Sequence, residues 1–181
     1  LPIWTQELSG NLMSQAPSLN QEGLIEKIWA AMDTIMDPEI PVISLVEMGI
    51  IQDVQLVDGA VTVTMTPTFS GCPALLEMET LIIDAISELG IKQIEVKKQL
   101  NPPWTSDWIT DEGREKLKSF GLAPPSRHGG NVTLTFFEVV ACPRCDSKNT
   151  RLQNSFGTTL CRAIWRSEER RVGKKCRSRW S

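Results

Sequence analysis

Ile50-Ile51-Gln52-Asp53-Val54-Gln55-Leu56-Val57, then Asp58-Gly59, then Ala60-Val61-Thr62-Val63-Thr64-Met65-Thr66: this stretch decides the fold. Two β-rich runs are joined by Asp-Gly, the dipeptide that suits a two-residue hairpin turn. In the second run Val61, Val63 and Met65 alternate with Thr62, Thr64 and Thr66. A strand with that period turns one face to a core and offers hydroxyls on the other.

Outward from the hairpin, the pattern changes to helical. Leu24, Ile25, Ile28, Trp29, Met32 and Ile35 form an apolar stripe over Gln21 to Met36, stopped by Asp37-Pro38. Pro38 and Pro41 then exclude helix. On the other side, Leu75, Leu76, Leu81, Ile82, Ala85, Ile86 and Leu89 predict a second helix from Pro73 to Leu89, with Pro73 in its first turn and Gly90 as its stop. Ile91 to Leu100 reads as a third strand. The order helix–strand–strand–helix–strand predicts an α+β domain over 21–100, a small sheet covered by helices. Residues 1–20 read as a flexible polar leader. Asn101-Pro102-Pro103 opens a Trp- and Pro-rich connector, 101–130, with a short helix from Asp111 to Phe120 and a linker from Gly121 to Gly130. Residues 131–166 form a further segment, in which a β-rich run from Val132 to Val140 leads into Cys142-Pro143-Arg144-Cys145.

Composition excludes several functions. A net charge of −3 asks for no nucleic-acid partner. No apolar run reaches the roughly 20 residues of a membrane span. Leu1 to Asn20 lacks the basic start and apolar block of a signal peptide, so a cytoplasmic location is expected. The five cysteines are odd in number, which speaks against a disulfide framework and for metal or thiol chemistry. His128 is the single histidine, in a Gly-flanked loop far along the chain from Cys72. A thiol enzyme built on Cys72 therefore lacks its base.

Three sites carry candidate chemistry. In Thr66-Pro67-Thr68-Phe69-Ser70-Gly71-Cys72-Pro73, Cys72 falls where loop meets helix, and the unpaired N–H groups of a helix start favour thiolate. A buried structural cysteine is the alternative. Asp37 and Glu39 flank Pro38, where two carboxylates could hold a cation or a partner, or simply solvate a turn. Cys142 and Cys145 have the spacing of half a tetrahedral zinc site; two unrelated turn cysteines is the other reading. Cys161 is a third candidate ligand.

Taken together these residues carry a resemblance. Asp37-Pro38-Glu39-Ile40-Pro41, Ser44-Leu45-Val46-Glu47-Met48-Gly49 and Thr66-Pro67-Thr68 through Gly71-Cys72-Pro73 resemble the SufT-like domain of iron–sulfur assembly. Asn101-Pro102-Pro103-Trp104-Thr105-Ser106-Asp107-Trp108, Gly121-Leu122-Ala123-Pro124-Pro125, Cys142-Pro143-Arg144-Cys145 and Phe156-Gly157-Thr158-Thr159-Leu160-Cys161-Arg162 resemble its PaaD-type branch. The resemblance covers about Gln21 to Arg166. It implies a non-catalytic accessory of the phenylacetyl-CoA epoxidase system in phenylacetate degradation, serving a metal centre of the oxygenase or reductase beside the iron–sulfur assembly machinery. An integral structural subunit of the oxygenase complex is the alternative. Cys72 matches the family's characteristic cysteine, and Asp37 and Glu39 fall in its acidic motif, so the resemblance implies a transient iron–sulfur cluster or iron; Thr66 and Thr68 offer hydroxyls near Cys72, and Cys142, Cys145 and Cys161 are the candidate zinc ligands. The family continues beyond Arg166 with a second cysteine knuckle, where this chain has Ser167 and Arg170. The zinc ribbon is thus expected to be incomplete and weak. Residues 167–181 turn abruptly basic, lose any β pattern and resemble a translated cloning artefact, so they are expected not to be native.

Overall fold

A computed structural model of the chain describes residues 19–127, 140–155, 157, 162–171 and 174–180. Helix α1 spans Leu19–Asp33, strand β1 Ile51–Val57, β2 Ala60–Met65, α2 Leu75–Ser87 and β3 Gln93–Lys98. The hairpin turn is as the sequence dictates: Asp58 and Gly59 both have positive φ, 50° and 81°, the conformation that continues the right-handed strand twist. β2 is central, antiparallel to β1 and parallel to β3. The parallel pair requires a crossover, and α2 supplies it.

The alternation in β2 fixes which face is covered. Val61, Val63 and Met65 are buried, and they join one core with Ile28 and Met32 of α1 and Ile82 and Ile86 of α2. Each such side chain contributes about 1.5–3 kcal/mol on leaving water. The helices are shorter than the apolar stripes. α1 begins inside the expected leader and stops at Asp33, after which Met36 bridges Ser44. Ile35 still enters the core from this non-helical stretch.

Helix α3, Asp111–Phe120, has the expected bounds because its ends are encoded. The Thr110 hydroxyl accepts from the Gly113 N–H at 3.0 Å, and Gly121 closes the helix at φ 90°. The connector is nevertheless no loose linker. Ile109, Leu117 and Leu122 belong to the core. The Trp104 indole N–H donates to the Met48 carbonyl at 3.1 Å, and the Thr110 N–H to the Glu47 carbonyl at 2.9 Å. Two glycines allow this approach. A Cβ on Gly49, whose φ is 68°, would stand 2.6 Å from the Trp108 Cβ, and one on Gly113 would stand 2.8 Å from Ile43 Cδ1.

A second sheet has the order β4-β7-β6-β5, with β4 at Leu122–Ala123, β5 at Thr150–Asn154, β6 at Ala163–Arg171 and β7 at Lys174–Trp180. This corrects two readings. The segment after Gly121 supplies a strand, and the basic stretch after Ser167 is paired rather than patternless. Ladder formation draws on backbone N–H and C=O groups, which every residue type but proline supplies in full, so a composition without apolar alternation does not forbid it. Residues 1–18, and the expected strand from Val132 to Val140 up to its last residue, lie outside the described residues.

Candidate functional site

The Cys72 turn grows from the end of the central strand. Thr66 continues β2 by donating its N–H to the Ile50 carbonyl at 2.8 Å. Its side chain is buried, and its hydroxyl has no hydrogen-bond partner. Thr68 is half-buried and Phe69 exposed. The chain then folds back: the Cys72 N–H donates to the Phe69 carbonyl at 3.1 Å, and the Leu75 N–H to the Cys72 carbonyl at 3.3 Å. Cys72 is half-buried and packs against the core.

The helix does not start at Cys72. Ala74 is the N-cap of α2, with no side-chain cap, and Pro73 and Ala74 form a preceding turn. The thiol therefore stands two residues before the N-cap, not in the first helical turn. Its placement comes instead from the Phe69–Leu75 turn closed on both sides by backbone hydrogen bonds.

The acidic turn is more buried than its two carboxylates suggest. Asp37 is 5% exposed. Its Oδ1 accepts from the N–H groups of Glu39 at 2.7 Å and Ile40 at 2.9 Å, and its own N–H donates to the Ile43 carbonyl. Burial pushes the Asp37 carboxyl above its ordinary value, against the pull of those two N–H groups and of the Arg162 charge. Arg162 Nη2 lies 3.8 Å from Glu39 Oε2. No local sequence signal marks Arg162 as part of this site.

Glu47, in the Ser44–Gly49 run that follows the acidic turn, is held by a network of its own. Ser44 and Glu47 form a reciprocal pair: the Glu47 N–H donates to the Ser44 hydroxyl, and the Ser44 N–H to Glu47 Oε2, both at 3.0 Å. The Ser44 hydroxyl donates in turn to Asp33 Oδ1 at 2.6 Å. The Lys116 ammonium of α3 donates to Glu47 Oε1. Burial raises the Glu47 carboxyl, but the hydrogen bonds and charge of Lys116 and the bonds from Ser44 outweigh it and hold it below its ordinary value. The available signal is Ser-x-x-Glu, the capping-box spacing.

The C-terminal cysteines form a tight knuckle. Cys142 is fully buried, and its carbonyl accepts from the Cys145 N–H at 3.3 Å and the Asp146 N–H at 2.8 Å. Cys145 Sγ faces Ser167 Oγ at 3.7 Å. Ligand atoms on a tetrahedral zinc at thiolate distance stand about 3.8 Å apart, so Ser167 lies where a neighbouring ligand would. A neutral hydroxyl is a poor substitute for thiolate. Among the described residues, no three His, Cys, Asp or Glu side chains converge to hold a metal. Cys142 and Cys145 are the two thiols of such a site among the described residues, with Ser167 beside Cys145. Cys161 lies outside the described residues.

The domain that carries Cys72 and the segment that carries the cysteine knuckle each match a family of known proteins, and together they place the chain in the class of iron–sulfur assembly proteins. The model described as "Iron-sulfur cluster assembly protein" matches residues 25–97, and that described as "PaaD zinc beta ribbon domain" matches 128–169. The chain belongs to this family of iron–sulfur cluster assembly proteins, in the branch that carries the PaaD ribbon. It is 38% identical over 80% of its length to a "Putative 1,2-phenylacetyl-CoA epoxidase" subunit of Escherichia coli (strain K12), covering 86% of that protein. It is 37% identical over 48% of its length to the "Fe-S protein maturation auxiliary factor YitW" of Bacillus subtilis (strain 168), covering 86% of it. The crystal structure of a domain of unknown function, DUF59, from Bacillus anthracis matches at TM-score 0.51 and 27% identity, over 54% of this chain and 94% of that one. No helix among the described residues is long and apolar enough to cross a membrane.

Proposed function

We propose that the protein is an accessory factor of the phenylacetyl-CoA epoxidase system that helps install or maintain an iron–sulfur or iron centre, with the metal as its cargo. Cys72 is the cargo-facing thiol, and the Asp37–Glu39 turn, with Thr66 and Thr68, belongs to the same functional unit. Its partners are the oxygenase and reductase components and the general iron–sulfur machinery. The supporting observation is the half-buried Cys72 in a hydrogen-bonded turn at the mouth of α2, inside the segment that matches the assembly family. A thiolate there is a soft ligand that can bind iron and release it to a partner's cysteines.

Replacing Cys72 with Ser tests the reading. The exchange barely changes shape, and a hydroxyl is not ionised near neutral pH, so the fold should persist while support of phenylacetate growth is lost. Growth of a complemented deletion strain, soluble protein level and iron and sulfide content of the reductase are measured together. Normal growth and cluster content with Cys72→Ser at normal protein level would exclude a ligand role. A structural component of the oxygenase complex would be the better reading in that case, one that the name of the E. coli relative favours. Stable co-purification in fixed ratio with the oxygenase would support it.

A further inference from the structure

Among the described residues, the C-terminal segment meets the acidic turn of the assembly domain through the side chain of Arg162. We infer that Arg162 is a latch: it docks the ribbon over Asp37 and Glu39, and its release uncovers that turn. The inference rests on the geometry of the contact and does not require the proposed cargo.

Four observations carry it. Arg162 is 8% exposed, so its guanidinium is almost wholly out of water. Its ion-pair contact to the turn, with Glu39, is long at 3.8 Å. Its Nε is buried and has no hydrogen-bond partner. Its backbone is pinned: the Gly157 N–H donates to the Arg162 carbonyl, and a Cβ on Gly157 would stand 2.9 Å from that oxygen.

A buried guanidinium has five donors to satisfy, and charge attraction to Glu39 at 3.8 Å and to Asp37, without a hydrogen bond to either, returns only part of its desolvation cost. A contact so incompletely satisfied favours the closed state by only a modest margin, on the order of 10- to 100-fold in population. The main chain aims the side chain at the turn, yet the side chain gains little by staying there. Such a contact suits a part that lifts off, and less a permanent strut. The turn below stands without Arg162, because Asp37 is already engaged by the Glu39 and Ile40 N–H groups. Opening the latch therefore exposes a preformed pair of carboxylates to any cationic group of a partner, without unfolding the assembly domain.

Hydrogen exchange on the full chain reads the latch directly. Arg162→Gln should raise exchange of the β5 and β6 amides about tenfold, the scale of a local opening, and leave α2 unchanged. Glu39→Gln should do the same to a smaller extent, because Asp37 still attracts Arg162, and the double variant should add little beyond Arg162→Gln. Arg162→Lys should restore most of the protection, which a purely steric role would not. Arg162→Glu with Glu39→Lys should close again where each alone opens. Unchanged ribbon exchange in both neutral variants would overturn the inference, as would additive effects. If Arg162→Gln proves unstable, Glu39→Gln decides alone, since Glu39 is half-buried and lies outside the ribbon. Loss of the Cys72 phenotype with intact latch behaviour would refute only the proposed cargo role.

Discussion

The two halves of this molecule are held by different forces. From Ile28 to Leu122 one apolar cluster joins α1, α2, the three-stranded sheet and the connector. From Val140 onward the buried residues among those described are Val140, Cys142, Arg162 and Ser167: one aliphatic side chain, one thiol, one cation and one hydroxyl. The first half closes by removing hydrocarbon from water. The second depends on a backbone ladder, a cysteine knuckle and a long ion pair. A family model matches each half, but among the described residues only the first has an extended apolar core. The assembly domain can therefore stay folded while the appendage opens, loads or fails to load.

The sharpest break in that comparison is made in the core. Ile82 is fully buried on α2, and Ile82→Ala should cost about 2–5 kcal/mol through lost transfer energy and the cavity left behind. Chemical denaturation followed by far-UV circular dichroism measures this. Adding a chelator to the unaltered protein should leave the same transition in place.

The seam between domain and connector should respond next most strongly. Gly49→Ala forces a left-handed backbone on alanine and drives its Cβ into Trp108, at a cost of about 1–3 kcal/mol. Faster amide exchange in 104–120, with β1–β3 protected, is the expected signature. Equal loosening of the whole domain would show that the connector is part of the domain's folding unit.

The appendage is sharpened by restoring a ligand. Ser167→Cys places a thiol beside Cys145, and zinc affinity should rise about tenfold or more. Competition with a chromophoric chelator measures it, and the thiolate-to-cobalt charge-transfer band should grow in step. No gain in either would remove residue 167 from the coordination shell.

The smallest effect is electrostatic. Glu47 has a carboxyl held below its ordinary value of about 4.5. Its stabilisation is complete above that value and fades as pH falls through the depressed one. Asp37, raised by burial, works in the opposite sense, and its contribution falls as pH rises above its ordinary 3.8. Glu47→Gln should cost about 1 kcal/mol at neutral pH and flatten the acid limb of the stability curve. An unchanged slope between about pH 5 and 3, the carboxylate range, would mean that Lys116 adds nothing.

What the sequence revealed follows the same division. The Asp58-Gly59 hairpin and the Thr110-to-Gly121 helix are legible because each is set by residues close in the chain. The start of α2 is misread because Pro73 is compatible with either a first helical turn or the turn before it. Glu47 is easily overlooked because half of its environment, Lys116, comes from a distant helix. Arg162 against Glu39 is hidden for the same reason: both are ordinary charged residues until the fold brings them together. Only the start of β6, in the run Leu160 to Trp165, is legible as a strand; the rest of β6 and the whole of β7 have no side-chain code to read.

The parallel pairing of β2 with β3 has a consequence for the order of assembly. β1 and β2 are joined by a two-residue turn and can meet early, whereas Ala60 must wait for Gln93, at the far side of α2. Non-local pairing of this kind is the slow step in small domains, because the loop must close before contacts reward it. Cys72 lies inside that loop. A nascent chain that ends soon after Cys72 thus has the hairpin and the cysteine but not the helix and third strand that complete the core against which the cysteine packs. The thiol takes its packed position late, when the crossover is complete; under the proposed cargo role, a half-made protein would be a poor competitor for iron.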